Sequence, residues 1–350
     1  MKSYAIMQSP RHRRVYLEQS IATAINELIF IGNILSRPIE NIREADIGGV
    51  TYILFDWDDR AEALTNEDIR RLSRLSFAYA IFELRGELLA PVEINAGYFI
   101  DEDISAILKY TGKTNELFTR LMINLALAHQ PSTDIVKLLD PMAGKGTTLY
   151  EGLMQNCDVH GVEIDPKPAY EAFVYMKKHL EMARYKHNSH TEKTGGVDAN
   201  GKKYTATKYQ VELAKDKEHL KAGQTRRFEI IAGDTRHTRA FFKKNAFHGI
   251  VADLPYGVQH GAKKKPQEAG LTRNAMGLLR EAMPEWIKVL RPGGVMVLAW
   301  NLFLISREEM VALFEEHGLT VPEGMQGLDF SHRLDQATHR DLIVGVLIPA

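Results

Sequence analysis

Apolar residues recur at two spacings along the chain, and the rhythm changes near residue 112. Before it, residues 3–7 and 51–55 read as strands, while 15–31 and 69–82 carry apolar side chains at helical intervals. After it, residues 114–129 predict an amphipathic helix capped by Thr114. Short apolar runs then alternate with helical stretches. Strands are predicted at 136–139, 159–162, 229–232, 249–252, 295–299 and 341–348. Helices are predicted at 147–155, 167–184, 275–290 and 307–317. Alternation of this kind predicts an α/β, doubly wound parallel sheet over residues 113–350. Residues 1–112 are predicted as an N-terminal α+β domain, open to a role as substrate platform, homodimer interface or lid.

One segment interrupts the rhythm. Residues 184–227 are polar and nearly free of apolar runs, and read as a partly ordered insertion before the third strand. They hold 11 Lys/Arg against 5 Asp/Glu. Two readings stand side by side, a solvated Lys-rich loop and a phosphate-contacting arm.

Composition limits the function classes. The 350 residues carry 44 Lys+Arg and 45 Asp+Glu, a net charge of −1, which argues against a histone-like polybasic protein. That neutrality is uneven: residues 1–130 hold 14 basic and 18 acidic side chains, so the positive charge concentrates in the insertion. Cys157 is the only cysteine, which excludes an internal disulfide and a Cys-based zinc cluster. None of the 13 histidines falls at a metal-binding spacing, and His187 and His190 read as solvated. The first residues lack the apolar core of a signal peptide, and the longest apolar stretch, 295–305, contains Asn301 and is too short for a bilayer. A soluble, cytoplasmic protein with no membrane partner and no metal is expected.

Four motifs fall at successive predicted strand ends, where an open α/β sheet holds its ligand. The first is DPMAGKGTT, residues 140–148. It is neither a Walker A loop nor GxGxxG, so a pyrophosphate fits it poorly. A small zwitterion fits better: Asp140 can take an ammonium, and the amides of a helix start can take a carboxylate. The second is Gly161-Val-Glu163-Ile164-Asp165, where Glu163 is placed to accept from two ribose hydroxyls and Asp165 to start a helix. The third is Gly233-Asp234, whose carboxylate either accepts the amine of an adenine or caps a turn.

The fourth and most specific is Asp253-Leu254-Pro255-Tyr256-Gly257. An exocyclic amine is a poor nucleophile because its lone pair is delocalised into the ring. The Asp253 carboxylate and the Leu254 carbonyl can each accept one of its N–H bonds and so favour a nitrogen with an available lone pair. Pro255 stiffens the turn, and Tyr256 offers a face for stacking a base. Lys263, Lys264 and Lys265 follow, either as phosphate contacts or as a solvated run.

These residues resemble the class I S-adenosylmethionine-dependent methyltransferases. DPMAGKGTTLYEG is similar to the cofactor loop DPxxGxGTxxxEA of an RNA methylase family that includes THUMP-associated tRNA guanine-N2 methyltransferases. DLPYG is similar to that family's catalytic [DN]-x-P-[FY]-G region, and LRPGG is a further, less specific feature. The likeness covers residues 113–350; residues 1–112 show no THUMP domain. It implies a Rossmann-like methyltransferase domain with S-adenosyl-L-methionine as cofactor. It further implies methylation of an exocyclic amine in RNA, foremost guanine N2 in tRNA. The implied cofactor residues are Asp140, Pro141, Ala143, Gly144, Gly146, Thr147, Thr148, Glu163, Ile164, Asp234 and Thr235; Asn115, Phe118 and Thr119 of the preceding helix are candidates to line the pocket, with Phe118 open also to a place in the core. The implied catalytic residues are Asp253, Leu254, Pro255 and Tyr256. DNA or a protein amide as acceptor, and a silent RNA-binding paralogue, are the competing readings.

Overall fold

In the computed structural model, residues 1–8, 17–58, 63–106, 115–130, 135–197, 203–255 and 275–349 are described. They divide into two units: Met1–Gly97 with Pro322–His332, and Tyr98–Val321 with Arg333–Ala350.

The first unit holds β1 (Lys2–Gln8), α1 (Leu17–Gly32), β2 (Ile39–Ile47), β3 (Val50–Trp57), α2 (Asn66–Ser73), β4 (Ala78–Arg85) and β5 (Leu88–Val92). Its sheet runs β2-β3-β1-β4-β5, antiparallel throughout. β3 therefore lies between β1 and β2, and β1 between β3 and β4, which is the split βαββαβ pattern with one added edge strand. Two buried carboxylates fasten its helices. Glu27 of α1 accepts from the Ser76 amide at 3.1 Å, and Asp68 of α2 accepts from Ser36 and from Thr65 in a capping box.

The helix expected over 69–82 is not one element. Its first half is α2, which ends at Ser73 with Arg74 as C-cap, and its second half is β4. Tyr79, Ile81 and Phe82 are strand formers, and pairing with β1 (Ala5↔Phe82, Ile6↔Ile81) overrides the local spacing.

The second unit holds α3 (Asp103–Ala106), α4 (Glu116–Leu127), β6 (Lys137–Asp140), α5 (Thr147–Met154), β7 (Asp158–Glu163) and α6 (Pro166–Met182). These are followed by β8 (Lys186–Val197), β9 (Lys203–Ala214), α7 (Lys217–Lys221), β10 (Arg226–Ala232), α8 (Thr238–Phe241) and β11 (Phe247–Asp253). The chain ends with α9 (Ala275–Val289), β12 (Leu290–Asn301), α10 (Arg307–Glu316), β13 (Leu319–Thr320), β14 (His332–Arg333) and β15 (His339–Leu347). Its sheet runs β13-β15-β12-β11-β6-β7-β10-β9-β8. The five strands β10, β7, β6, β11 and β12 are mutually parallel, and β15 is antiparallel to β12. Winding starts at β6 and proceeds outward on both sides, so the switch point lies between β6 and β11. Ile250, Val251 and Ala252 of β11 and residues 295–299 of β12 are fully buried, as strands covered on both faces must be. Among the described residues no helix is long and apolar enough to cross a membrane.

Three expectations need correction. First, the division falls after Gly97, not after 112. Residues 98–106 pack on the second unit: the Phe99 amide donates to Met154 at 2.8 Å and the Tyr175 hydroxyl to Ile104 at 2.6 Å. Second, α4 is capped by Asn115, whose side chain accepts from the amides of Leu117 and Phe118; Thr114 lies outside the described residues. Third, the insertion is a regular β-hairpin and not a partly ordered loop. β8 and β9 pair along twelve residues each, and β9 pairs with β10. Apolar residues on β9 seat it: Val211 and Leu213 are fully buried, and Tyr209 stacks on Phe173 of α6.

A buried ion pair ties α4 to α5. Arg120 Nε lies 3.0 Å from Glu151 Oε2, Ser105 donates to the same carboxylate, and Arg120 also faces the Tyr98 ring. Burial pushes the Glu151 carboxyl up, and Arg120 opposes that shift. Removing one partner strands a buried charge, so Arg120→Met is expected to lower stability by about 3–5 kcal/mol in chemical denaturation. The double replacement Arg120→Met with Glu151→Leu is expected to recover much of the loss.

Candidate active site

The loop after β6 folds back over the next strand. Ala143 donates to the Val162 carbonyl at 2.9 Å, and Gly146 to that of Ala143 at 2.7 Å. Gly161 permits this approach: a Cβ there would stand 2.8 Å from the Ala143 Cβ. Gly146, at φ +88°, is the N-cap of α5 and has no side chain to cap it, so the first amides of α5 are presented by the backbone turn alone. Pro141, Thr147 and Thr148 are buried at this turn.

Acidic groups converge on the carboxyl ends of β6, β7 and β11. Asp140 ends β6, is 3% exposed and accepts from the Met142 amide at 2.9 Å. Burial pushes its carboxyl up to about 7, against hydrogen bonds from Thr148 and Met142 and with added repulsion from Asp253 and Glu163. Glu163 ends β7 and accepts from Gly144 at 2.8 Å and from Asp165 at 2.9 Å. Asp165 caps α6 through the Lys167 amide, as expected. Asp253 ends β11, with its side chain 10% exposed. The following Leu254 is buried and donates its amide to Ala299 at 2.8 Å, while Pro255 is exposed. Tyr256, Gly257 and Lys263–Lys265 lie outside the described residues.

Other expected residues are placed differently. The Asp234 carboxylate is spent on Arg236, with Nη2 at 2.6 Å, Nε at 3.0 Å and the Arg236 amide at 2.9 Å. It caps the short 3₁₀ turn Thr235–His237, so the capping alternative describes it. Burial opposes the shift, yet Arg236 holds the Asp234 carboxyl below its usual range. Thr235 is buried and accepts from the Trp286 indole at 2.9 Å, which anchors the turn to α9. Thr119 is buried and its hydroxyl donates back to Asn115 of its own helix. Phe118 is buried under Arg340, whose guanidinium carbon lies 4.4 Å from the ring centre. Ile164 is 55% exposed beside Glu163.

Arg340 was not among the expected residues. Its Nη2 lies 3.4 Å from Asp253 Oδ2. A lone arginine in a final strand carries no local sequence signal, and only the sheet order brings it near β11.

Residues 111–299, more than half of the chain, match the sequence profile of the UPF0020 family, RMKL-like methyltransferase domain. The chain belongs to this family. Among solved structures it is similar to a candidate RNA methyltransferase from Pyrococcus horikoshii, at 12% identity and a TM-score of 0.39, covering 71% of this chain and 98% of that one. It is similar also to the N-methyltransferase NodS from Bradyrhizobium japonicum, at 14% identity and a TM-score of 0.38, covering 66% and 85%. An rRNA methylase from Streptococcus thermophilus aligns at 11% identity and a TM-score of 0.30, covering 62% and 89%. No protein with a curated description matches.

The UPF0020 domain thus has an α/β methyltransferase fold, and the cofactor that its sequence motifs imply is S-adenosyl-L-methionine. The residues present fit that group. A cationic ligand with an amine suits the acidic strand ends, where Asp140 would take the ammonium. Glu163, at the carboxyl end of β7, is the carboxylate that would accept the ribose hydroxyls. At Gly144 nothing among the described residues stands within 4 Å of where a Cβ would be, so they leave room for a ligand against the loop's backbone.

Proposed function

We propose that this methyltransferase acts on an exocyclic amino nitrogen of RNA, foremost guanine N2 in tRNA. The observation that carries the reading is the position of Asp253. Its carboxylate ends the strand next to β6, in the same group of acids as Asp140, and is followed by the Leu254-Pro255 turn. When bound, the cofactor supplies an electrophilic sulfonium methyl. The chain's own contribution is placement. Asp253 accepts one N–H of the amine and the Leu254 carbonyl the other, so the nitrogen lone pair is aimed and the departing proton has an acceptor. No protein nucleophile takes part; buried Cys157 lies at the far end of β7 from Glu163. A base stacked within RNA would first be turned out to reach this position.

The hairpin supports a polyanionic substrate. Thr207 of β9 pairs with Ala232, the last residue of β10. Residues 203–206 and their β8 partners 194–197 therefore run past the strand ends that carry the acids, by roughly 13 Å at the usual strand rise. Tyr204 secures this overhang by stacking on His237, with ring centres 4.4 Å apart and planes 11° apart. Lys203 is exposed on it, and Lys193, paired with Thr207, is exposed at its base.

The reading is tested by incubating the protein with labelled cofactor and separated RNA, DNA and protein fractions, then identifying the product by nucleoside mass spectrometry. Label in N2-methylguanosine from tRNA is expected; label confined to DNA or protein overturns it. Lys193→Ala with Lys203→Ala is expected to weaken RNA binding about 3–10-fold and reduce the salt slope by about 1–2, as loss of two phosphate contacts would. Cofactor affinity by calorimetry should stay unchanged; an equal loss of both would mark the hairpin as structural.

A further inference from the structure

We infer that Arg340 is the positioning residue of the reaction, fixing the direction in which the Asp253 carboxylate meets the substrate amine. The inference rests on the role given to Asp253 above.

Arg340 stands on β15, which is separated from β11 by β12. It pairs in register with Asn301 of β12, and Asp253 pairs with Ala299 of the same strand. Spanning an intervening strand takes a side chain about as long as arginine, since neighbouring strands lie about 4.8 Å apart. Both groups are sequestered, with side-chain exposures of 4% for Arg340 and 10% for Asp253. Among its contacts, Nη2 reaches Asp253 Oδ2 at 3.4 Å, and the guanidinium carbon lies over the Phe118 ring, 4.4 Å from its centre. Phe118 lies in the first turn of α4, so one side chain joins the starts and ends of three elements around the candidate acceptor.

Stability alone does not call for this arrangement. A buried ion pair is commonly no more stabilising than well-packed apolar residues of similar volume. What an arginine adds is a fixed charge on a rigid plane that can stack and reach at the same time. In methyl transfer to a weakly nucleophilic nitrogen, the direction of the proton acceptor matters more than its presence. A misplacement of about 1 Å can cost about 100-fold in rate. Asp140, at the neighbouring strand end, is held differently, by Thr148 and the Met142 amide.

The test is a double-mutant cycle on single-turnover methyl transfer to bulk tRNA from a strain deleted for the gene, with labelled cofactor. Arg340→Gln is expected to slow turnover on the order of 10–100-fold, with the KM for cofactor changed less than about twofold. Arg340→Lys, which keeps charge and length, is expected to recover part of the loss. In the Asp253→Asn background, Arg340→Gln is expected to add less than about a twofold effect, because its action runs through that carboxylate. The inference is overturned if Arg340→Gln turns over like the wild type, or if it costs the same factor in both backgrounds. Should Arg340→Gln fail to fold by thermal melt, the Arg340→Lys cycle decides by the same criterion. If Asp253→Asn itself keeps full activity, the role of Asp253 fails instead, and the two failures are distinct.

Discussion

Asp253→Asn is expected to slow methyl transfer by roughly 10³-fold while leaving cofactor affinity within about threefold of the wild type. Asparagine keeps the size of the side chain and can still accept from Arg340, but it offers the amine a weaker acceptor and no base for its proton. The small effect on cofactor follows from the site's electrostatics. Asp253 is one of the acids that raise the Asp140 carboxyl, so neutralising it makes Asp140 easier to ionise. Cofactor binding measured near pH 6 should hold steady or tighten while turnover collapses. Undiminished turnover in Asp253→Asn would remove the proposed chemistry altogether; parallel loss of turnover and cofactor binding would make Asp253 a cofactor residue.

The second large effect belongs to Asp140. Asp140→Asn is expected to weaken cofactor binding roughly 10–100-fold, the worth of a buried charge-assisted hydrogen bond to an ammonium, and at the same time to raise thermal stability. The sign follows from its position. The folded protein holds the Asp140 proton up to about pH 7, whereas an unfolded aspartate releases it near pH 4. Between those values the native state binds the extra proton, so stability falls as pH rises through the window and the cost stays constant above it. Asparagine removes that cost. The melting temperature of Asp140→Asn should match the wild type near pH 4 and exceed it by about 5 °C at pH 8. Wild-type affinity for the cofactor should weaken as pH drops from 7.5 to 6, since the ammonium needs the ionised carboxylate. A difference in melting temperature between variant and wild type that is the same at both pH values would show that Asp140 is not held protonated by burial.

The site was legible in the sequence wherever its residues are neighbours along the chain. Asp140, Gly144 and Gly146 announce a strand, a turn and a helix start within nine residues, and Glu163 and Asp253 each close a short apolar run. Parallel strands buried on both faces read as such runs, so most of the second sheet was expected in place. The rest depends on partners distant in sequence. The hairpin β8–β9 was hidden because both faces of its outer strand are polar, and only Val211, Leu213 and Tyr209 on β9 seat it. β4 was hidden by an apolar spacing that also suits a helix. For Asp234 an acid after a strand serves either role, and its pairing with Arg236, two residues on, was not legible from the strand pattern. Arg340 could not be foreseen, because its meaning lies in β15 being next but one to β11.

The segment Pro322–His332 belongs with the N-terminal unit although some 225 residues separate it from Gly97. The chain therefore crosses between the units three times. One of its ties there is a hydrogen bond from the Asn26 side chain to the Asp329 carbonyl. During synthesis the N-terminal residues emerge first, but the unit they build stays incomplete until residue 332 has left the ribosome. The N-terminal unit is thus finished late, after nearly all of the methyltransferase sheet has been made. A nascent chain halted before residue 322 would carry a catalytic core with most of its strands and a first unit still waiting for its last piece.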